Sequence, residues 1–189
     1  MRTNKNQNII RTICRLVVMI CFISLSVSAQ VEINKIPPEV FLDKENGGNI
    51  DGSSWLSKRL KGKINLLLYV APDQQSNVQK FLEMIDKRNY SKDKFQVTLI
   101  LNTEATWIPN SIIEGKVRGK AKEDTTKIYV LDKNEVVLNK WELSGDNPNI
   151  LLISDNGVVV SLYSDELKEE VENELLSRIE LQINKGESK

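Results

Sequence analysis

The chain contains no histidine, and its only two cysteines, Cys14 and Cys21, both sit close to its start. Beyond Cys21 there is no thiol for disulfide exchange, and nowhere is there an imidazole for neutral-pH proton transfer or zinc ligation. Aromatic residues are scarce at 6%, and no basic stripe with interleaved aromatics occurs, so nucleic-acid binding has no support. Long apolar runs are also missing, except for one at the N-terminus.

That run is flanked as a signal peptide would be. Arg2, Lys5, Arg11 and Arg15 precede the uncharged segment LVVMICFISLSV, Leu16 to Val27, which has the length of a signal-peptide core. An uncleaved anchor needs about 20 apolar residues and would draw Arg11 and Arg15 into lipid. Val27-Ser28-Ala29 places small residues where signal peptidase reads them, so cleavage is expected after Ala29, with no lasting membrane anchor. Neither cysteine follows the Leu-x-small triplet of a lipoprotein site. Export to the periplasm, or secretion, is the expectation. Losing the leader removes both cysteines and four basic residues, leaving 22 basic against 26 acidic ones, a charge of −4. The apolar content of 40% is ordinary for one globular domain held by core burial. The expected organisation is a leader over 1–29, an arm over 30–54, a domain over 55–184 and a disordered tail over 185–189.

Strands and helices alternate along the rest. The arm is polar and turn-rich, with Pro37-Pro38 and Gly47-Gly48, and reads as an extended segment with a hairpin laid over the core. Trp55 to Leu60 reads as a short amphipathic turn. Ile64 to Val70 (INLLLYV) is almost continuously apolar, the pattern of a strand covered on both faces of a parallel sheet. After Ala71-Pro72, Ser76 and Gln79 form an S-x-x-Q capping box for a helix carrying Val78, Phe81, Leu82 and Ile85. Phe95 to Leu101 is a strand. Asn110 to Lys122 is a weak helix, since Gly115 and Gly119 each cost roughly 1 kcal/mol relative to alanine. Lys127 to Leu131 and Val136 to Trp141 read as strands joined by a polar turn. Ile150 to Ser154 and Val158 to Leu162 form a hairpin through Asp155-Asn156-Gly157. A final helix over Asp165 to about Asn184 aligns Leu167, Val171, Leu175, Ile179 and Ile183, with Ser164 as its N-cap.

A β-α-β section followed by a hairpin and a terminal helix resembles the thioredoxin fold. Pro148, at the entrance of NPNILLISDNGVVV, resembles the cis-proline position of thioredoxin-like and TlpA-like proteins. More specifically, WLSKRLKGK (Trp55 to Lys63), QVTLILNTEA (Gln96 to Ala105) and YVLDKNEVVLNKWEL (Tyr129 to Leu143) resemble the YtfJ family of exported bacterial proteins. The resemblance spans residues 40 to 183. It implies an α/β, thioredoxin-like domain with a mixed sheet flanked by helices, and it carries over no catalytic residue.

Chemistry is sought at the turn after the central strand, where thioredoxins hold their cysteines. Here Gln74 and Asn77 stand nearest those positions, and neither is a nucleophile. Asp73 and Ser76 are ordinary capping residues, although the helix N-terminus also favours an anion. Asn102 and Glu104 end a strand at the sheet edge where α/β ligands sit, and polar strand ends are equally plain loop beginnings. Trp107, beside Pro109, is either a partner anchor or folds back over the core, whereas Trp55 and Trp141 read as core. Asp43, Glu45 and Asp51 do not fit EF-hand spacing, and nothing calls for a cofactor or metal. Lys116, Arg118, Lys120 and Lys122 are a solvated face or a seat for an acidic segment. No motif places a serine beside a lysine for hydrolase chemistry.

Three functions follow as expectations. One is a non-catalytic module that holds an envelope protein or extended peptide on a face formed by Asp73, Gln74, Asn77, Asn102, Glu104, Trp107 and Pro148. Another is a non-thiol enzyme or small-molecule binder using carboxylates such as Asp73 and Glu104. The third is a protein that positions a thiol enzyme without performing exchange itself. The leader makes the first checkable statement: N-terminal sequencing of exported protein should read Gln-Val-Glu-Ile-Asn from Gln30, and a start upstream of Ala29 would make the segment an anchor.

Overall fold

The computed structural model describes residues 30–187. The expected leader, and the last two residues of the expected tail, lie outside the described residues. The central strand is as read: β4, Ile64–Val70, is buried at all seven positions. It pairs in parallel with β5 (Phe95–Asn102), which pairs in parallel with β6 (Lys127–Asp132). On its other side β4 meets β7 (Asn149–Ile153) antiparallel, and β7 meets β8 (Val159–Tyr163) antiparallel. The hairpin turn closes as expected, with Gly157 at φ +81 and its N–H donating to the Ser154 carbonyl at 2.8 Å.

The helices divide the core. α1 (Gln75–Arg88), α2 (Asn110–Glu123) and α4 (Glu169–Glu187) cover one face of the sheet. Val78, Phe81, Leu82 and Ile85 of α1 are all buried there, each contributing about 1.5–3 kcal/mol of burial free energy. α2 is a regular helix of 14 residues despite its glycines, because Ile113 and Val117, one turn apart, dock onto the sheet. α4 starts at Glu169, not Asp165, and runs past Asn184. Ser164 does not cap it, because its hydroxyl donates to the Asn149 Oδ1 at 2.8 Å.

The opposite face is covered by the N-terminal segment and by α3 (Val136–Trp141). The strand expected over Val136 to Trp141 is therefore a helix. Val137 and Trp141, four residues apart, are the two buried positions, a helical spacing, and Glu135 at φ +53 turns the chain out of the ladder. Trp141 donates its indole N–H to the Pro38 carbonyl at 2.8 Å. The arm is woven into the core: β1 (Phe41–Leu42) pairs with β3 (Trp55–Leu56), and Val31, Val40, Leu42 and Trp55 are buried. Between them β2 (Gly47–Asn49) joins the main sheet antiparallel to β6.

β2 depends on glycine. Gly47 sits at φ +110, and a Cβ there would lie 1.9 Å from the Leu131 carbonyl oxygen. Backbone strain of this kind costs about 1–3 kcal/mol, before any displacement of β2 from β6. Gly47→Ala should lower stability to urea by at least that amount, and an unchanged midpoint would show that β2 adds nothing to the fold.

Candidate functional site

The turn after β4 is built from Pro72. It enters a single 3-10 turn over Pro72–Gln74 before α1 begins at Gln75. The cap is supplied by Gln74, not by the expected Ser76 and Gln79 pair: Gln74 Oε1 accepts the Ala71 N–H at 3.0 Å. Its other end donates from Nε2 to the Asp146 carbonyl at 2.9 Å. Ser76 only meets its neighbour Asn77, Oγ to Oδ1, at 3.4 Å. Gln74 thus clamps the turn to the loop before β7. In that loop Pro148 is buried, and every peptide bond among the described residues, including that of Pro148, is trans. Asn149, fully buried, accepts on Oδ1 from the Ser144 N–H and the Ser164 hydroxyl, and donates from Nδ2 to the carbonyls of Ser144 and Asn147. Four bonds saturate an amide side chain, so the loop is held by a residue whose polarity inside an apolar strand is the sequence signal for it.

At the ends of β5 and β6 lies a buried polar cluster. Asp132, which is 0% exposed, receives the Val136 N–H on Oδ1 and the Val137 N–H on Oδ2, both at 2.8 Å. The Tyr69 hydroxyl donates to the same Oδ2 at 3.2 Å. Burial pushes the Asp132 carboxyl above the usual carboxylate range, against the pull of those donors. Burial, followed by the charge of Asp132, pushes the Tyr69 phenol up. Asn102 is buried beside them: Nδ2 donates to Glu135 Oε1 at 3.0 Å, and Oδ1 accepts the N–H groups of Glu104 and Ala105. The neighbouring Thr103 is also buried, with a hydroxyl that has no partner among the described residues. Asp132 and Tyr69 were not marked by sequence reasoning; the carboxylate that ends the apolar run of β6 was the available signal.

The candidate residues therefore separate. Asn102 and Pro148 are buried and Gln74 is half-buried, its side chain tied to two loops, while Asp73, Asn77, Glu104 and Trp107 are exposed. Trp107 is 92% exposed in the loop that Asn102 braces. That loop and the turn after β4 meet where Pro72 and Ile108 line a common cavity of about 280 Å³. Nothing in this arrangement pairs a nucleophile with a base. It displays an exposed aromatic on a braced loop.

Comparison with known proteins agrees with the architecture. The family model described as "Bacterial protein of unknown function (YtfJ_HI0045)" matches residues 26–182. The uncharacterized protein YtfJ of Escherichia coli K12 is 26% identical over 139 residues, covering 66% of this chain and 72% of that protein. Among solved structures, the exposed lipoprotein thioredoxin of Streptococcus pneumoniae aligns with a TM-score of 0.55 at 13% identity, over 75% of this chain and 99% of that one. The thioredoxin domain of a thiol-disulfide oxidoreductase from Bacteroides vulgatus gives 0.55 at 16%, over 79% and 99%. Copper-bound ScoI of Arabidopsis thaliana gives 0.56 at 17%, over 78% and 99%. At these identities the likeness is one of fold: a thioredoxin-like domain with a mixed sheet flanked by helices.

The Asp132 cluster yields a pH dependence. Folding raises this carboxyl's proton affinity, so between the ordinary carboxylate pKa and the raised one the folded chain binds more protons than the unfolded chain. The stability attributable to the group then falls as pH rises through that window and recovers as pH drops. Asp132→Asn removes the titration and leaves one of the two helix N–H groups without an acceptor. Urea unfolding followed from pH 7 down towards the ordinary carboxylate pKa should therefore show the wild type gaining on the variant as pH falls; a constant difference across that range would mean the carboxyl does not titrate abnormally.

Proposed function

Because the chain belongs to the YtfJ family of bacterial proteins of unknown function, a membership that fixes no chemistry, we propose its role from the site: an exported, non-catalytic module that docks another envelope protein or an extended peptide. The observation that carries this reading is Trp107. A tryptophan exposed at 92% leaves a large apolar surface in water, and Asn102 holds its loop through two backbone N–H groups, so little order is lost on binding. Ile112, half exposed at the start of α2, is a second apolar side chain in water just beyond this loop, and the exposed Asp73, Asn77 and Glu104, on this loop and at the turn and helix start it meets at Pro72, are assigned as the polar rim. Such a rim around an aromatic anchor is the anatomy of a protein interface.

The inward clamp of Gln74 moves the centre of this face from the turn to the loop. The absence of cysteine and histidine beyond Cys21 makes thiol exchange unavailable to the processed chain, so any connection with redox enzymes is through contact. Export rests on the basic leader, its short apolar core and the small residues before Gln30.

The test is in-cell photo-crosslinking from a probe at Trp107, with Lys168, exposed just before α4, as control. A discrete protein captured from Trp107 and not from Lys168, and lost on truncating Ile112 to alanine, supports docking. Equal capture at both positions, or disulfide reductase activity in the purified protein, overturns it.

A further inference from the structure

The crevice between α1 and α2 carries a feature that protein docking does not use. Two cavities, of about 280 and 180 Å³, lie along it and share Gln75, Val117 and Lys120 as a common wall. The first opens beside Pro72 and Ile108 and adds Lys116; the second continues over the sheet, lined by Val78, Leu82 and Leu99. The bond from Lys120 Nζ to Gln75 Oε1, 3.2 Å long, crosses the crevice where the two meet.

The charges along it are unequal. Lys127 is held between Asp86 at 2.7 Å and Asp124 at 2.5 Å. Lys116 makes no hydrogen bond or ion pair among the described residues, and Lys120 meets only the neutral amide of Gln75. Two ammonium groups four residues apart lie on one side of a helix and repel one another, here above an apolar floor and with no anion between them. At the other end, Asp86 and Asp124 face the single ammonium of Lys127 and Glu123 lines the same cavity, leaving an excess of negative charge. The crevice is thus cationic at one end, apolar along its middle and acidic at the other end, so an amphiphilic anion is favoured in one orientation. From Gln75 to Leu82, α1 rises about 10 Å, the reach of a medium-length alkyl chain.

We propose that this crevice binds an aliphatic monocarboxylate of medium chain length, with its carboxylate between Lys116 and Lys120 and its tail along Val78, Leu82 and Val117. The carboxylate replaces Gln75 as the partner of Lys120, and the released Gln75 side chain lets the two cavities become one. Charged hydrogen bonds are roughly twice as strong as neutral ones, so the exchange favours the bound state.

Octanoate is the probe, titrated into the processed protein while amide resonances are followed by NMR. Saturable shifts concentrated at Gln75, Leu82 and Val117 are expected. Acetate, which has the head without the tail, and octanol, which has the tail without the charge, should both bind more weakly. Lys120→Met and Lys116→Met keep the stem and remove the charge at exposed positions, so the fold should survive; each should weaken octanoate by about tenfold. Octanol binding as tightly as octanoate, unchanged affinity in both variants, or shifts centred away from α1 and α2 would overturn the assignment.

Discussion

The carboxylate of Asp132 is the tie on which the upper end of the sheet depends. Its side chain accepts from the first amides of α3 and from Tyr69 of β4, while its backbone carbonyl accepts the Thr103 N–H at 2.9 Å as β5 ends. Its own Cα is paired with Gly47 of β2. One buried residue thus sets where β5 and β6 stop, where α3 starts and where the N-terminal segment enters the sheet. A buried carboxylate is costly unless its oxygens are filled, and here three donors fill them. The cost is recovered as definition of the loops rather than as bulk stability.

Amide side chains fix the loops elsewhere in this domain. Gln74 spans from the turn after β4 to the loop before β7, and Asn149 and Asn102 saturate themselves on loop backbone. These are neutral groups with fixed donors and acceptors, so the loops they hold keep one arrangement across oxidising and reducing conditions. The polar end of the sheet is thereby a rigid support. What remains free on it is carried by side chains that point outward, above all Trp107.

Much of the fold could be read because its strongest elements are long or strictly patterned. INLLLYV, the helix with Val78 to Ile85 and the Asn-Gly hairpin each satisfy a single template. Val136 to Trp141 failed because six residues with apolar groups at 136, 137, 138 and 141 satisfy both periods, and the arbiter was the carboxylate of Asp132 just upstream, which accepts the first two helix amides. The arm reads as a covering layer because strands of two or three residues leave no periodicity; Gly47 and Gly48 signal a turn, whereas Gly47 serves a close approach to Leu131 of β6 and Gly48 one to the Ser53 carbonyl. At the candidate site, exposed and buried members could not be separated: Asn102 and Trp107 are both polar-loop residues by neighbourhood, and only the fold shows that one is a brace and the other is displayed. The capping box failed for a local reason, since Pro72 starts a 3-10 turn that brings Gln74, rather than Ser76, back to the chain.

The three tryptophans are distributed unequally, with Trp55 and Trp141 in the core and Trp107 in water. Optically, the molecule is therefore two samples in one chain. Emission from the core pair reports the integrity of the face covered by the N-terminal segment, shielded from dissolved quenchers. Emission from Trp107 is open to them and changes only when its own loop is covered. The domain carries an intrinsic gauge of surface occupancy whose signal can be separated from unfolding without any label.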